Sequence, residues 1–300
     1  MAKNMYECII VGAGIAGLQA AIQLGRYMHN VLVIDSQNGR SNLCRGYHNI
    51  LGWPDGVSGK TLRELGKGQA ERSGVHFLNG YVTSVSKADS IFHVKTENGE
   101  RYKAMRILLA TGLTDRLPHL PNLYPCLGIS IYVCPDCDGY EVQGKKTLVL
   151  GSGSSGANMA LTLTYWTKDL TYINHEKEYL PEDLKMKLRE EGIGCVDEAI
   201  ESVLVNGSSA FKGVQLSDGR RIYGDRAFAA FGGNTVHSEL AGMLGAERLE
   251  NKHVVVNPRT KETSVQHVWA AGDVGVHSEQ VTIAMGDGCQ AAIWIHKSLL

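Results

Sequence analysis

The chain places its hydrophobic residues in short unbroken runs, and glycines or polar turn residues follow most of them. Runs of this kind are typical of strands that are buried on both faces of a parallel sheet. In two regions, such a run is followed by a glycine turn, an apolar pattern at helical spacing and a second apolar run. The predicted strand–helix–strand units are residues 6–11, 12–25 and 30–35, and residues 147–150, 152–166 and 170–173. This alternation predicts an α/β protein with two Rossmann-like units.

The remaining apolar runs are predicted to complete the two units. Residues 74–111 alternate short strands with turns and end on a buried strand that leads into Gly112. A connection rich in proline follows. Further strands are predicted at residues 200–205, 211–216, 226–231, 250–256 and 267–271, and a last helix at residues 281–296.

The composition fits a soluble protein of two domains. The chain has 300 residues, of which 43% are hydrophobic and 20% are charged, so it can bury two cores. Its formal net charge is −1 and it has no basic block, which argues against a nucleic-acid partner. Residues 8–25 are uncharged, but their glycines and glutamines favour a strand–turn–helix over a membrane span. We therefore predict a cytoplasmic protein without a signal peptide or a membrane segment.

The first glycine turn has the pattern of a dinucleotide-binding fingerprint. Gly12, Gly14 and Gly17 stand at G-x-G-x-x-G spacing, and Asp35 follows eighteen residues after Gly17. In this motif the first glycine permits a tight turn, the second lets the backbone approach a pyrophosphate, and the third lets helix and strand pack closely. The helix N-terminus faces the anion, and the acidic side chain accepts hydrogen bonds from the ribose hydroxyls. These residues predict a bound adenine dinucleotide.

Two cysteines stand between the two fingerprints. Cys134 and Cys137 are separated by two residues, a spacing that can close a small reversible disulfide. Pro135 suits the first position of a helix, and a helix N-terminus stabilises a thiolate. The alternatives are a zinc half-site or a purely structural bridge. Zinc normally takes four ligands, and neither a second C-x-x-C nor a histidine pair lies at suitable spacing. The pattern favours a redox-active dithiol.

The second fingerprint is incomplete. Its glycines within residues 151–156 keep the spacing of the first. At the position equivalent to the ribose-binding acid, however, stands Asn174. The second unit is therefore either an altered nucleotide site or only a rigid carrier for the cysteines.

The order and spacing of these motifs resemble the low-molecular-weight thioredoxin reductases, which are FAD-dependent pyridine nucleotide-disulfide oxidoreductases. Four segments carry the resemblance: the first fingerprint with Asp35, residues 110–112 (Ala-Thr-Gly), the C-x-x-C-D-G motif, and residues 271–273 (Ala-Gly-Asp) before the last helix. The resemblance implies two dinucleotide-binding domains, the second inserted into the first. Residues 1–115 and 245–300 would form the FAD-binding domain, and residues 116–244 the smaller NAD(P)-binding-like domain that carries the cysteines. It also implies a homodimer.

The resemblance further implies the roles of individual residues. Cys137 would face the flavin, Cys134 would attack the disulfide of thioredoxin or a similar small protein, and Asp138 would serve as the general acid. The positions that match FAD-binding residues of the family are Gly12, Gly14, Ile15, Ala16, Gly17, Asp35, Ser36, Asn42, Asn49, Val82, Ala110, Thr111, Gly112, Gly272, Asp273, Gln280 and Val281.

Three segments depart from the usual family pattern. Residues 40–43 read Arg-Ser-Asn-Leu instead of Gly-Gly-Gln-Leu, and residues 278–281 read Ser-Glu-Gln-Val instead of Tyr-Arg-Gln-Ala. The arginines that clamp the 2′-phosphate of NADPH are missing after Asn174, and Glu176 would repel a phosphate. The chain thus resembles atypical members that lack this clamp. NAD(P)H is doubtful as the electron donor, and NADH and ferredoxin are the candidates in place of NADPH.

Three functions are compatible with this sequence. The first is a thioredoxin reductase-like flavoprotein that passes electrons through FAD to the Cys134–Cys137 disulfide and on to a disulfide substrate. The second uses the same groups in reverse, as an FAD-dependent oxidase that transfers electrons from a small dithiol to oxygen. The third is a non-enzymatic flavin redox sensor, which is considered because the sequence shows no evident site for an electron donor.

Overall fold

The computed structural model describes residues 5–276 and 278–300, and the chain forms two compact units. The first unit contains the residues up to Asn42 together with Gly59–Thr114 and Thr235–Leu300, and the second contains Leu43–Ser58 and Asp115–Asn234. The strands are β1 (Met5–Val11), β2 (Val31–Asp35), β3 (His76–Asn79), β4 (Val82–Ala88), β5 (Ile91–Thr96), β6 (Arg101–Leu109), β7 (Leu113–Thr114), β8 (Ile131–Tyr132), β9 (Thr147–Gly151), β10 (Leu170–Asn174), β11 (Gly194–Val196), β12 (Ile200–Asn206), β13 (Ala210–Leu216), β14 (Arg221–Tyr223), β15 (Arg226–Ala230), β16 (Thr235–Val236) and β17 (Val268–Ala270). The helices are α1 (Ile15–Arg26), α2 (Gly59–Arg72), α3 (Leu123–Cys126), α4 (Pro135–Asp138), α5 (Gly153–Leu163), α6 (Glu182–Glu190), α7 (Glu239–Met243) and α8 (Val281–Leu299), with short 3₁₀ turns at Arg40–Asn42 and Gly139–Val142.

The first unit is built around a mainly parallel sheet. Its strands follow the order β3-β2-β1-β6, and β17 pairs in parallel with the C-terminal half of β6. The N-terminal half of β6 pairs antiparallel with β5, which in turn pairs with β4. Because parallel strands end at the same edge of a sheet, this edge brings together the turns after β1, β2, β6 and β17.

Both faces of this sheet are covered, which explains the unbroken apolar runs. On one face, alternate β1 residues such as Cys8 and Ile10 pack with α1 and with the C-terminal helix α8. On the other face, Ile9 and Val11 pack with residues of β4, β5 and α7. A strand buried on both sides needs apolar residues at every position rather than at alternate ones.

The second unit repeats the Rossmann arrangement on a smaller scale. Its parallel sheet has the order β11-β10-β9-β15-β8, and a separate antiparallel sheet has the order β12-β13-β14. The strand order changes direction at β9, so the crevice between the ends of β9 and β15 is the topological switch point where such folds bind nucleotides. Helix α5 leaves β9 at this point, where the incomplete fingerprint lies.

Apart from Asp115, which lies in the second unit, the observed units differ from the predicted domain bounds in two segments. Residues 235–244 lie in the first unit because β16 pairs with β7 and α7 packs in that unit's core. Leu43–Ser58 lie in the second unit, where the backbone of residues 44–45 passes close to Gly128.

One predicted strand is wrong. Residues 250–256 form only isolated bridges, at Val254 and Val256, because Lys252 adopts a φ of 71° in a turn. In the described parts of the chain, no helix combines the length and the apolar character needed to cross a bilayer.

Candidate active site

The first fingerprint forms a turn that only glycine can make. Gly12 has a φ of 101°, and a Cβ at this position would overlap the carbonyl oxygen of Ala110. A Cβ at Gly17 would overlap the carbonyl oxygen of Gly12, so α1 packs directly against the turn. In contrast, a Cβ at Gly14 would meet no atom within 4 Å. The turn is therefore tight on its protein side and open at the N-terminus of α1, as a pyrophosphate requires.

Asp35, at the end of β2, is held in place beside this turn. Its Oδ1 accepts the N–H of Ala13 at 2.9 Å, and its Oδ2 accepts from Arg63 Nη2 at 2.8 Å. An ionised carboxylate offers about four acceptor sites, so two such bonds leave capacity for ribose hydroxyls. Arg63 was not foreseen, because nothing in the sequence shows that this position on α2 faces the end of β2.

With the exception of Val82, the remaining predicted cofactor residues of the first unit lie along the same edge. Residues 110–112 follow β6, and Thr111 Oγ1 donates to the carbonyl of His237. Gly272 follows β17, and a Cβ there would come within 2.8 Å of Ala16 Cβ. The edge also holds Ile15 at the start of α1, Ser36 after β2, Asn42 in the 3₁₀ turn, Asp273 after β17, and Gln280 and Val281 at the start of α8.

Val82 and Asn49 are positioned differently. Val82 begins β4, two residues after Gly80, whose N–H donates to the carbonyl of Asp35 at 3.0 Å. Asn49 lies in the loop Leu43–Ser58, which belongs to the second unit. The fold of the first unit alone therefore does not bring Asn49 to the other predicted cofactor residues.

Two of the departures from the family pattern meet in space. Arg40 Nη1 lies 2.6 Å from Glu279 Oε2 and 3.2 Å from Asp273 Oδ2. Each altered segment supplies one charge of this pair, and all three side chains are at least two-thirds buried. Sequence inspection treats the two changes as separate, whereas the structure shows that they form one ion-paired cluster beside the Gly272–Asp273 turn.

In the second unit, Cys134 and Cys137 are joined in a disulfide, with their Cα atoms 5.3 Å apart. Cys134 caps the short helix α4 and Pro135 is its first residue. The Cys134 carbonyl accepts the N–H groups of Cys137 at 3.3 Å and of Asp138 at 3.1 Å. Both cysteines are only partly buried, so the pair combines a fixed backbone with access for another molecule.

Asp138 is the group next to the dithiol whose protonation is most altered. Burial raises the pKa of Asp138 to about 7, and the negative charge of Glu141 acts in the same direction. A carboxyl group that titrates near neutral pH can donate a proton to a departing thiolate and can take one back. Glu141 in turn lies 3.8 Å from His48 Nδ1.

In the second fingerprint, side chains of the protein itself lie against the glycine turn. Asn174 Oδ1 accepts the N–H of Gly153 at 2.9 Å, and its Nδ2 donates to Asp197 at 2.7 Å. A Cβ at Gly153 would overlap the carboxylate of Glu178, which therefore lies beside the first residue of α5. A carboxylate of the protein itself therefore lies beside this helix N-terminus.

The residues that follow Asn174 are also engaged internally. His175 Nδ1 accepts the N–H of Ile200 at 2.8 Å, and Lys177 Nζ pairs with Glu198 at 2.8 Å. Glu176 forms two hydrogen bonds of 2.8 Å with Arg116, whose hydrogen bonds lower the pKa of Glu176 to about 2. The segment that would clamp the adenosine end of NADPH is therefore tied to the protein by ion pairs and hydrogen bonds.

Arg116 also connects this segment to the other side of the crevice. Its Nε donates to the Gly232 carbonyl at 2.9 Å and its Nη2 to the Phe231 carbonyl at 2.6 Å. Arg116 also lines a cavity of about 290 Å³, together with residues that include Ser155, Met159 and Phe231. Sequence reasoning missed Arg116 and Glu178 because their partners are distant in sequence or lie across a turn.

Comparisons with known proteins agree with this geometry. The model of the family described as pyridine nucleotide-disulphide oxidoreductase matches residues 6–288. The chain belongs to this family. It is 31% identical to the thioredoxin reductase of Treponema pallidum (strain Nichols) over 296 residues, which cover 96% of this chain and 95% of that protein. It is 29% identical over 316 residues to thioredoxin reductase sirT of Leptosphaeria maculans, with 99% and 95% covered.

Solved structures show the same fold. The crystal structure of HlmI superposes with a TM-score of 0.87 at 27% identity, covering 98% of this chain and 92% of that one. The atypical thioredoxin reductase TRi from Desulfovibrio vulgaris Hildenborough gives a TM-score of 0.55 at 28% identity, with 98% of each chain covered. The predicted α/β fold with two dinucleotide-binding domains is thus confirmed. The chain is a thioredoxin reductase-like, FAD-dependent disulfide oxidoreductase.

Proposed function

We propose that this enzyme exchanges electron pairs between the Cys134–Cys137 couple and the disulfide of thioredoxin or a similar small protein. The observation that carries the proposal is a disulfide at the start of a helix, immediately followed by an acid that titrates near neutral pH. Relatives named thioredoxin reductase align with nearly the whole chain, which supports this class of substrate.

The exchange requires two displacements at sulfur. In the reduced enzyme, the Cys134 thiolate attacks one sulfur of the partner's disulfide, that bond breaks, and the departing thiolate takes a proton from Asp138. The Cys137 thiolate then attacks the Cys134 sulfur of the mixed disulfide, which releases the second partner sulfur to be protonated from solvent. The partner gains two electrons and two protons, and the enzyme is left with its disulfide.

FAD fits the first unit and is the proposed resident cofactor. The open N-terminus of α1 at Gly14 would receive its pyrophosphate, and Asp35 would accept bonds from its ribose. The turn Gly272–Asp273 and the start of α8 would hold its flavin side, by resemblance. When bound, FAD supplies the electron pair that reopens the Cys134–Cys137 disulfide.

The electron donor is proposed not to be NADPH. A bound NADPH would place its pyrophosphate near the Glu178 carboxylate and its 2′-phosphate near Glu176, and both contacts are repulsive. The Arg116 bridge would also have to open. Reduced ferredoxin, which would need no nucleotide crevice, is therefore the expected donor. NADH lacks the 2′-phosphate and would avoid the repulsion at Glu176, but its pyrophosphate would meet the same Glu178 carboxylate.

Substitution of the attacking thiol tests the proposed function. Cys134→Ser is expected to abolish reduction of thioredoxin disulfide while leaving bound FAD unchanged, as judged by its absorbance. Cys195→Ser, at an exposed cysteine on β11, is the matched control and should retain activity. Anaerobic mixing with NADPH, NADH and reduced ferredoxin in turn identifies the donor by bleaching of the flavin. Retained turnover in Cys134→Ser would contradict the proposal.

A second candidate is oxidation of a small dithiol by oxygen, and the internally occupied nucleotide crevice favours it. An enzyme reduced by its own substrate needs no nicotinamide site. Overall, one dithiol and one O₂ would give one disulfide and one H₂O₂. Rapid peroxide formation under air with a dithiol substrate would support this candidate, and its absence would exclude it.

A homodimer and a cytoplasmic location are proposed from the family resemblance alone. Light scattering of the purified protein tests the first, and fractionation of the source cells tests the second.

A further inference from the structure

Arg40 connects two segments of the first unit whose strands are not neighbours in the sheet. It lies in the 3₁₀ turn that follows β2, whereas Asp273 follows β17 and Glu279 stands just before α8. In the sheet, β1 and β6 lie between β2 and β17. Adjacent strands are about 4.8 Å apart, so the ends of β2 and β17 are separated by about 14 Å. The contacts of Arg40 therefore bridge the edge of the sheet at which the parallel strands end.

The bridge is short and largely shielded from water. Arg40 Nη1 lies 2.6 Å from Glu279 Oε2 and 3.2 Å from Asp273 Oδ2. The exposed fraction is 19% for the Arg40 side chain, 21% for Asp273 and 31% for Glu279. Hydrogen bonds between ionised groups are among the strongest in proteins, and solvent screens a partly buried pair less than a surface pair. These contacts can thus hold the two segments together.

Each of the two segments is also braced internally. In the segment after β2, Asn42 Nδ2 donates to the Gln37 carbonyl at 2.7 Å. In the segment after β17, the N–H of Gly275 donates to the Gly272 carbonyl at 2.8 Å. Asp287 of α8 accepts the N–H of Gly272 at 3.4 Å, which ties this turn to the helix. The Arg40 contacts therefore join two segments that have defined conformations of their own.

The proposed FAD site extends between these segments. Asp35, at the end of β2, would accept the adenosine ribose, and the turn Gly272–Asp273 after β17 would hold the flavin side. The fingerprint that follows β1 and residues 110–112 that follow β6 lie between them in the sheet. A dinucleotide in this site would reach from one joined segment to the other, along the edge that Arg40 bridges.

We propose that Arg40, Asp273 and Glu279 form a clasp across the cofactor edge, which must open each time FAD enters or leaves. This inference rests on the FAD site of the proposed function. Two of the three residues stand in segments that depart from the usual family pattern, Arg40 in residues 40–43 and Glu279 in residues 278–281. The clasp consists of protein groups alone, so it can form in the empty and in the loaded protein.

A clasp of this kind controls the rate of cofactor exchange rather than the affinity. Its contacts are present at both ends of the binding reaction and are broken in the transition state between them. Removing them lowers the barriers to entry and to exit by the same amount. The double variant Arg40→Gln with Glu279→Gln removes the 2.6 Å contact without changing the net charge. Both rates should rise about tenfold, which corresponds to one charge-assisted hydrogen bond, while the Kd for FAD stays within about twofold.

The test uses the full-length protein. Dissociation is measured on the FAD-loaded protein by a chase with excess isotopically labelled FAD, and mass spectrometry follows the unlabelled cofactor that remains bound. Association is measured by the quenching of flavin fluorescence after rapid mixing of apoprotein with FAD. Glu279→Gln alone leaves the Asp273 contact in place and should raise both rates less, about threefold. High salt should accelerate exchange in the parent protein more than in the double variant, because it screens the ion pair.

The matched control is the other arginine–glutamate pair of the chain that the article describes, in the second unit. Arg116 Nη1 lies 2.8 Å from Glu176 Oε1, and the double variant Arg116→Gln with Glu176→Gln should change neither rate of FAD exchange. Unchanged exchange rates in the Arg40 and Glu279 double variant would overturn the inference. Faster dissociation without faster association would also overturn it, because it would show an ordinary stabilising contact. Failure of the proposed function would be distinct, since it would appear as a protein that binds no FAD or as retained disulfide reduction in Cys134→Ser.

Discussion

The two glycine fingerprints have the same spacing but opposite surroundings. At the first, the position of Gly14 is open and Asp35 retains acceptor capacity beside it. At the second, Gly153 faces the Glu178 carboxylate, and Asn174 is fully engaged with backbone and side-chain partners. We therefore propose that the same motif forms a cofactor cradle in one unit and a structural turn in the other. The difference lies in what fills the helix N-terminus, which the motif itself does not encode.

The largest expected effect comes from filling the open position of the first turn. Gly14 has a φ of −68°, which valine can adopt, so Gly14→Val should leave the apo fold intact. Its side chain would occupy the space of the pyrophosphate, and FAD affinity should fall at least about a hundredfold, or about 2.7 kcal/mol. Fluorescence titration of the apoprotein with FAD measures this.

The matched control for this variant lies in the second fingerprint. Gly153→Val is expected to destabilise its unit, because Gly153 has a φ of 51° and faces Glu178, but not to change FAD affinity. Equal loss of FAD in both variants would remove the proposed difference between the two turns.

The next largest effect concerns Asp138, the acid beside the dithiol in the second unit. Its folded-state pKa of about 7 lies above the ordinary value of 3.8, so the folded state binds the proton more tightly. Stability should therefore fall as the pH rises between these values, and remain low above about pH 7. Asp138→Asn removes this cost.

We expect Asp138→Asn to be more stable than the parent protein by about 1–2 kcal/mol at about pH 8.5, and the advantage to shrink at about pH 5. Urea unfolding at the two pH values measures it, with Asp136→Asn as the exposed control. An equal difference in unfolding free energy at both pH values would contradict the raised pKa of Asp138.

Asp35→Asn should weaken FAD binding by about tenfold, or about 1.4 kcal/mol, because a neutral amide accepts fewer hydrogen bonds from ribose. The reciprocal change, Asn174→Asp, should not alter FAD affinity and should not create a ribose site, because the residue is buried with all its partners in the protein. Titration with FAD and with NADH compares the two variants. A gain of NADH binding in Asn174→Asp would show that the second glycine turn can still form a nucleotide site, which would contradict our inference.

The smallest effect is expected from replacing the acidic side chains Glu176 and Glu178 in the crevice of the second unit. The double variant Glu176→Arg and Glu178→Ser should gain only a few-fold in NADPH affinity, because the Arg116 contacts to residues 231–232 persist. Equilibrium dialysis with NADPH measures it, and Glu190→Gln on the exposed side of α6 is the control. Tight NADPH binding by the unaltered protein would refute the proposed exclusion of this donor.

Much of the fold followed from local patterns. The unbroken apolar runs predicted β1, β2, β9 and β10, and the glycine turns predicted the starts of α1 and α5. The predicted strand at residues 250–256 failed because the positive φ of Lys252 and its turn are not encoded by hydrophobicity. The position of residues 43–58 in the second unit likewise depends on a close approach to Gly128 that no local pattern reveals.

The amino-acid sequence by itself determined the family, the dithiol and the loss of the arginine clamp, because each depends on residue types at short, regular spacing. Only the tertiary structure decided what those losses mean. It brought Glu178 to Gly153, Arg116 to Glu176 and Arg40 to Glu279, pairs that include separations of 60 and 239 residues. Charges attract or repel through space rather than along the chain, so whether a glycine turn receives a cofactor or a side chain is settled only when the chain has folded.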